Sequence, residues 1–186
     1  GTKVSSNHKN SIHINCLEFL VVLLQVIATI VRLESNIPEA LAEGWPKGFP
    51  AFPVLQSETD NTATKKWTNR VTTTSTRAHW LVSLYGQLLK RSRLTVDGNW
   101  IPGKDNHVPD YISRPDLKLP PFLLRQQTFH KYQWIQHYDF FQPSPELCSI
   151  LASCLFDDLW EAPPGLPKNL GQFVPGDCIT SFSVTI

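Results

Sequence analysis

The chain has 186 residues, 41% of them hydrophobic and 18% charged, enough to bury a core and too apolar for a disordered chain. The formal net charge of +1 gives no global field that would select nucleic acid or membrane. Four cysteines without a C-x-x-C pair, and no N-x-S/T sequon, exclude a disulfide scaffold and leave nothing that marks secretion. Fifteen prolines against nine glycines require some extended stretches, and the start at Gly1 without any methionine predicts a piece of a longer protein.

In chain order, Ser11 to Ile14 reads as a short extended piece with Ile12 and Ile14 on one face. A helix is predicted from about Cys16 to Leu33, with Asn15 as N-cap and Glu18 closing a capping box. Its longest uncharged run, Phe19 to Val31, is thirteen residues, short of the roughly 20 that a membrane span needs. A buried helix is the expectation, with no membrane partner. Residues 34–51 read as a loop, and Phe52 to Thr59 as a strand ending at an Asp60-Asn61-Thr62 turn. That turn opens a short helix through Trp67, followed by a Thr-rich loop, Val71 to Thr76. Arg77 to Ser92 places Leu81, Leu84, Tyr85, Leu88 and Leu89 on one helical face. Leu94 to Ile101 is a strand, Pro102-Gly103 a turn, and Asn106 to Ser113 a last short helix capped by Asp105 or Asn106.

Composition shifts at Arg114-Pro115, and nine of the fifteen prolines lie in residues 115–186. Residues 1–115 are therefore expected to form one unit and 116–186 a Pro-rich connector. Within it Ser144, Pro145 and Glu146 open an amphipathic helix over about 144–160, expected to dock only loosely. The final stretch, APPGLPKNLGQFVPGD, has linker composition. The order of elements predicts an α/β layer architecture, completed by strands upstream of Gly1.

Charge is unevenly spread. Residues 61–93 carry seven cations (Lys65, Lys66, Arg70, Arg77, Lys90, Arg91, Arg93) and no acid, whereas residues 1–60 and 94–186 sum to −2 and −4. A solvated helical surface normally mixes signs, so this stretch is a candidate phosphate-binding face.

Three acids sit where metal-dependent nuclease chemistry would want them: Glu18 in a helix's first turn, Asp60 at a strand end and Asp110 in the last helix. Carboxylates converging from separate elements can hold two Mg²⁺ ions about 3.5–4 Å apart, one activating water and one stabilising the leaving oxygen. Each acid also has a plainer reading. Glu18 could close its capping box, Asp60 could cap the next helix, and Asp110 could favour a helix dipole. The six histidines show no metal-ligand spacing, and His107, three residues before Asp110, is a possible proton-transfer assistant.

Three segments carry a resemblance. Thr59-Asp60-Asn61-Thr62-Ala63, with Trp67 seven residues after the acid, resembles the TDN-T-A…W segment of reverse-transcriptase-linked ribonuclease H domains. Trp100-Ile101-Pro102-Gly103 through Asn106, Asp110 and Ser113-Arg114 is similar to the H-I-P-G-x-x-N-x-x-A-D-x-L-S-R ending of those domains. Upstream, Ile12-His13-Ile14-Asn15-Cys16-Leu17-Glu18 is similar to their H-I-N-x-L-E motif. The likeness covers roughly residues 10–115 and is closest to retrotransposon polyproteins, including those with a tyrosine recombinase. Pro143-Ser144-Pro145-Glu146-Leu147 also resembles the connector that follows such domains.

The resemblance implies an incomplete ribonuclease H-like layered fold and cleavage of the RNA strand of RNA–DNA hybrids with two Mg²⁺ ions. Glu18, Asp60 and Asp110 match the second, third and fourth acids. The first acid has no counterpart, because residues 1–11 contain none. Trp100 replaces the usual His and Pro109 the usual Ala. Asn61, Lys65, Lys66, Arg70 and Arg77 would contact the hybrid. Neighbouring reverse transcriptase and integrase or recombinase domains would be partners, and the setting intracellular. The missing acid implies impaired cleavage. The alternative is an inactive remnant that binds nucleic acid or serves as a structural connector.

Overall fold

Two six-residue strands running in the same direction form the first sheet: β1 (Val54–Thr59) and β2 (Thr95–Trp100). They belong to a computed structural model that describes residues 13–36, 54–106, 130–134, 138–156 and 165–175. Their register is Val54 to Thr95 through Thr59 to Trp100, prolonged by the Ile101 N–H donating to the Thr59 carbonyl at 3.0 Å. A parallel pair needs a crossover, and two helices supply it: α2 (Thr62–Arg70) and α3 (His79–Ser92). The long α1 (Ile14–Asn36) precedes this unit. After a 3₁₀ turn at Gly103–Asp105 come β3 (Phe140–Pro143), α4 (Pro145–Phe156) and β4 (Gly171–Val174), with β3 and β4 antiparallel. The architecture is mixed α/β.

Helix α1 is apolar over most of its length, and it buries Cys16, Phe19, Val22, Leu23, Val26, Ile27 and Ile30 at three- and four-residue steps. Phe19 meets Trp67 of α2 and Tyr85 of α3 edge-on, with ring centroids 5.7 and 5.4 Å away. The buried Tyr85 hydroxyl donates to the Thr68 carbonyl at 3.2 Å, so its polar end is satisfied inside the core. Helix α1 is longer than the expected Cys16–Leu33, and residues 34–36, read as loop, are its last turn. At 22 residues, Ile14–Ser35 is long and apolar enough to cross a membrane, which the thirteen-residue run did not suggest. Its buried residues belong to the core cluster shared with α3 and α4.

The sheet's inner face is made by Leu55, Ser57, Thr59, Val96 and Gly98. Gly98 is required there, because a Cβ would lie 3.0 Å from both the Asn69 Oδ1 and the Thr68 Cγ2 of α2. Asn69 then binds the Gly98 backbone twice, donating to its carbonyl at 2.9 Å and accepting from its N–H at 2.8 Å. This side chain occupies the outer edge of β2. The opposite edge belongs to β1, where the backbone groups of Val54, Gln56 and Glu58 have no strand partner among the described residues. There Gln25 Nε2 reaches the Gln56 carbonyl at 3.5 Å.

The predicted strand and helix bounds shift by one to three residues, and the Thr-rich loop falls between α2 and α3. Predicted structure at Ser11-Ile12, 37–53 and 107–113 lies outside the described residues, and Ile14 is helical rather than extended. The tail differs more. Leu147, Ile150, Leu151 and Cys154 of α4 share the buried cluster of α1 and α3, so the helix expected to dock loosely is packed. Ser144 caps it, accepting from the Leu147 N–H at 3.1 Å and donating to the Asn169 carbonyl at 2.8 Å. The linker-like GQFV stretch forms β4. Its Gly171 has φ 142°, and a Cβ there would lie 2.4 Å from the Gln142 carbonyl. Arg32 of α1 ties this strand pair down through Asp139 at 2.9 Å and the Phe173 ring at 4.1 Å.

Asn69→Ala leaves a half-buried N–H and C=O of Gly98 without partners, which costs about 1–3 kcal/mol. The neighbouring exposed Arg70→Ala should change stability by less than about 0.5 kcal/mol. Urea unfolding of the two variants checks the difference, and equal effects would contradict it.

Candidate functional site

The N-terminus of α1 and the β1–α2 turn meet at one place, and two of the three predicted acids are there. Glu18 lies in the second turn of α1 and Asp60 directly follows β1. Neither does the plainer job open to it. The first turn of α1 is closed by His13, whose carbonyl accepts from the Cys16 N–H at 2.8 Å and whose Nδ1 accepts from the Asn15 N–H at 3.3 Å. Asn15 is therefore inside the helix, and no capping box involves Glu18. At α2 the cap is Asn61 and not Asp60: Asn61 Oδ1 accepts from the N–H groups of Ala63 and Thr64 at 2.8 and 3.1 Å.

Glu18 is in an unfavourable setting. Its Oε2 is enclosed and has no hydrogen-bond partner. Burial pushes its carboxyl above the usual range, the Asp60 charge pushes in the same direction, and a hydrogen bond from the Asn61 side chain opposes them. Asp60 is exposed on the other side. The third motif closes around it: the Trp100 indole N–H donates to the Asp60 carbonyl at 3.0 Å, and a Cβ on Gly103 would lie 3.3 Å from the Asp60 Oδ2. Gly103 thus leaves the Asp60 carboxylate uncovered where any side chain would press on it.

Asp110 and His107 lie outside the described residues. Among the described residues no group of three potential metal ligands occurs, and the Asp60 charge is near enough to Glu18 to push its carboxyl up. The side chain of Asn61, expected to contact nucleic acid, is instead occupied within the fold; besides its cap it donates from Nδ2 to Asn15 Oδ1 at 2.7 Å. Asn15 itself was legible only as a cap. In the sequence Trp100 and Gly103 stand in a motif that assigns neither a role.

The basic stretch does not form one face. Lys65, Lys66 and Arg70 follow Asp60 on α2, and Arg77 precedes α3 close enough to Cys16 to oppose the rise that burial imposes on its thiol. Lys90 and Arg91 occupy the last turn of α3, where cations suit the helix dipole, and Arg91 lies 3.8 Å from Glu34. About 20 Å of helix separates Arg77 from Lys90 and Arg91. Lys65 and Lys66 lie in the first two turns after Asp60, whereas Arg70 closes α2 at its other end.

No family model, curated protein or solved structure matches this chain. What the site does must be argued from its own geometry.

A carboxyl whose pKa is higher folded than unfolded loses stability as pH rises from the unfolded value through the folded one. Glu18→Gln removes that loss. Its melting temperature should therefore exceed that of the parent chain at pH 7 and above, and the gain should vanish below the ordinary carboxylate range. Thermal melts across pH 3–8 (roughly the window in which carboxyls titrate) test this, and a gain that persists in acid would contradict it.

Proposed function

We propose that this chain is a ribonuclease H-like domain of a retroelement polyprotein, built to cut the RNA strand of RNA–DNA hybrids with Mg²⁺. The observation that carries the reading is the meeting of Glu18 and Asp60, 42 positions apart, with neither used as a helix cap. A half-buried Glu18 carboxyl with one enclosed, unpartnered oxygen beside the charge of the exposed Asp60 is costly to fold, which supports a ligand there. A divalent cation fits them: hard oxygens suit Mg²⁺, the charges would be offset, and Glu18 Oε2 would gain a partner. Glu18, Asp60 and Asp110 would hold the metal. Bound Mg²⁺ supplies an activated water and a clamp on the leaving oxygen.

The chain's own residues do the rest. Lys65, Lys66 and Arg70, on the helix that Asp60 precedes, hold phosphates beside the acids, and Arg77 adds a fourth cation near the start of α1. Among the described residues no strand pairs with the outer edge of β1, which supports an incomplete layered sheet of the ribonuclease H type. A strand there is where the family's first acid would sit. Its setting would be intracellular, with reverse transcriptase and integrase or recombinase domains as neighbours.

A second reading, an inactive remnant that only binds nucleic acid, is favoured by one observation: residues 1–11 contain no acid. Two measurements separate the readings. The purified chain should cleave a labelled hybrid slowly in Mg²⁺, and Asp60→Asn should abolish what cleavage there is. No cleavage even after an Asp-bearing strand is supplied at the N-terminus would favour the remnant.

Binding should also depend steeply on salt, because phosphate contacts release counterions. Neutralising Lys65, Lys66 and Arg70 together should lower the slope of log K against log salt by about two to three. The same treatment of Lys90, Arg91 and Arg93, at the far end of α3, should leave the slope nearly unchanged. Equal losses would mean that charge acts only in bulk.

A further inference from the structure

The Asn15–Asn61 pair joins the two elements that carry the acids, and it does so at the shortest side-chain contact between them. Asn61 Nδ2 donates to Asn15 Oδ1 at 2.7 Å, and Asn61 Oδ1 is fixed at the same time by the Ala63 and Thr64 N–H groups of α2. The Asn61 main chain is held too, its N–H donating to Thr59 Oγ1 at 3.1 Å at the end of β1. One amide side chain therefore locks the start of α2 to the first turn of α1. Asn15 lies one helical turn before Glu18, and Asn61 directly follows Asp60. The Asn61 side chain also opposes the upward shift of the Glu18 carboxyl.

We infer that Asn15 and Asn61 form a positioning clasp, which sets the separation of the Glu18 and Asp60 carboxylates so that one divalent cation can bridge them. The inference rests on the metal-binding reading above and goes beyond it by naming what holds the donors. Asparagine suits both positions for a physical reason. Its amide offers donor and acceptor on a short, stiff stem without adding charge beside the carboxylates. A serine at position 61 would still cap α2, since Ser and Asn are about equal as N-caps, yet its hydroxyl is too short to reach Asn15 or Glu18. Partners behind metal ligands commonly set affinity by 10–100-fold, so the clasp has measurable leverage.

The test is Mn²⁺ binding by the 186-residue chain, followed by electron paramagnetic resonance well below the melting temperature. Asn15→Ala and Asn61→Ser should each weaken binding by about tenfold, and the double variant by little more than either, because both break one contact. Asn69→Ala is the comparison, since it destabilises the same helix at Gly98, roughly 12 Å along the helix from Asn61, and should leave Mn²⁺ affinity within about twofold. Affinity within about twofold of the parent in both clasp variants would overturn the inference, as would an equal loss in Asn69→Ala. Absence of Mn²⁺ binding by the parent chain, or its persistence in Glu18→Gln and Asp60→Asn, would overturn the metal reading and the clasp together.

Discussion

Phe19 sits edge-on between Trp67 and Tyr85 with no exposed surface, and it fixes how α1 lies across α2 and α3. A ring held on two sides by other rings has little freedom to slide or turn, because edge-to-face contacts weaken quickly with displacement. The residue before it is Glu18. Rotation of α1 about its axis, and its shift along the βαβ unit, are therefore set by a core contact one position from the candidate ligand. Asn15 and Asn61 complete that arrangement at the surface. The hydrophobic contact determines which face of α1 is buried, and the amide pair determines how closely its start approaches the β1–α2 turn.

Much of this was legible in the sequence, and what was not has identifiable physical causes. The periodicity of α1 and α3 was readable because apolar side chains repeat at helical spacing. The caps were not. Asn15 with Glu18 satisfies the local pattern of a capping box, but Asn61, 46 residues away, takes the Asn15 side chain. At the second helix, Asp60 and Asn61 are both competent caps. The choice falls to strand register: pairing runs through Thr59, so the chain turns at Asp60 and Asn61 is the residue that faces the helix amides. Local rules lost to long-range contacts in both cases, and the two losses are what released Glu18 and Asp60 from a capping role.

The tail failed for a different reason. Its strands are four residues each, and β3 finds its partner across some thirty residues of proline-rich chain, so neither strand announces itself by alternation. Arg32, which reads as an ordinary surface cation near the end of α1, supplies the anchor through Asp139 and Phe173. Beside that strand pair the apolar face of α4 joins the core of α1 and α3.

The central claim is that Glu18 and Asp60 form one cation site beside Asn61 and Gly103. Paramagnetic broadening of backbone amide signals by substoichiometric Mn²⁺ tests it most directly, because the effect falls with the sixth power of distance and maps the ion without assuming activity. The account predicts early loss of signals from residues around Asn15 to Phe19, Thr59 to Thr62 and Ile101 to Lys104, with the α4 amides Leu147 to Cys154 unaffected. Broadening centred on other acids, such as Asp97 or Glu146, with Glu18 and Asp60 left sharp, would contradict it.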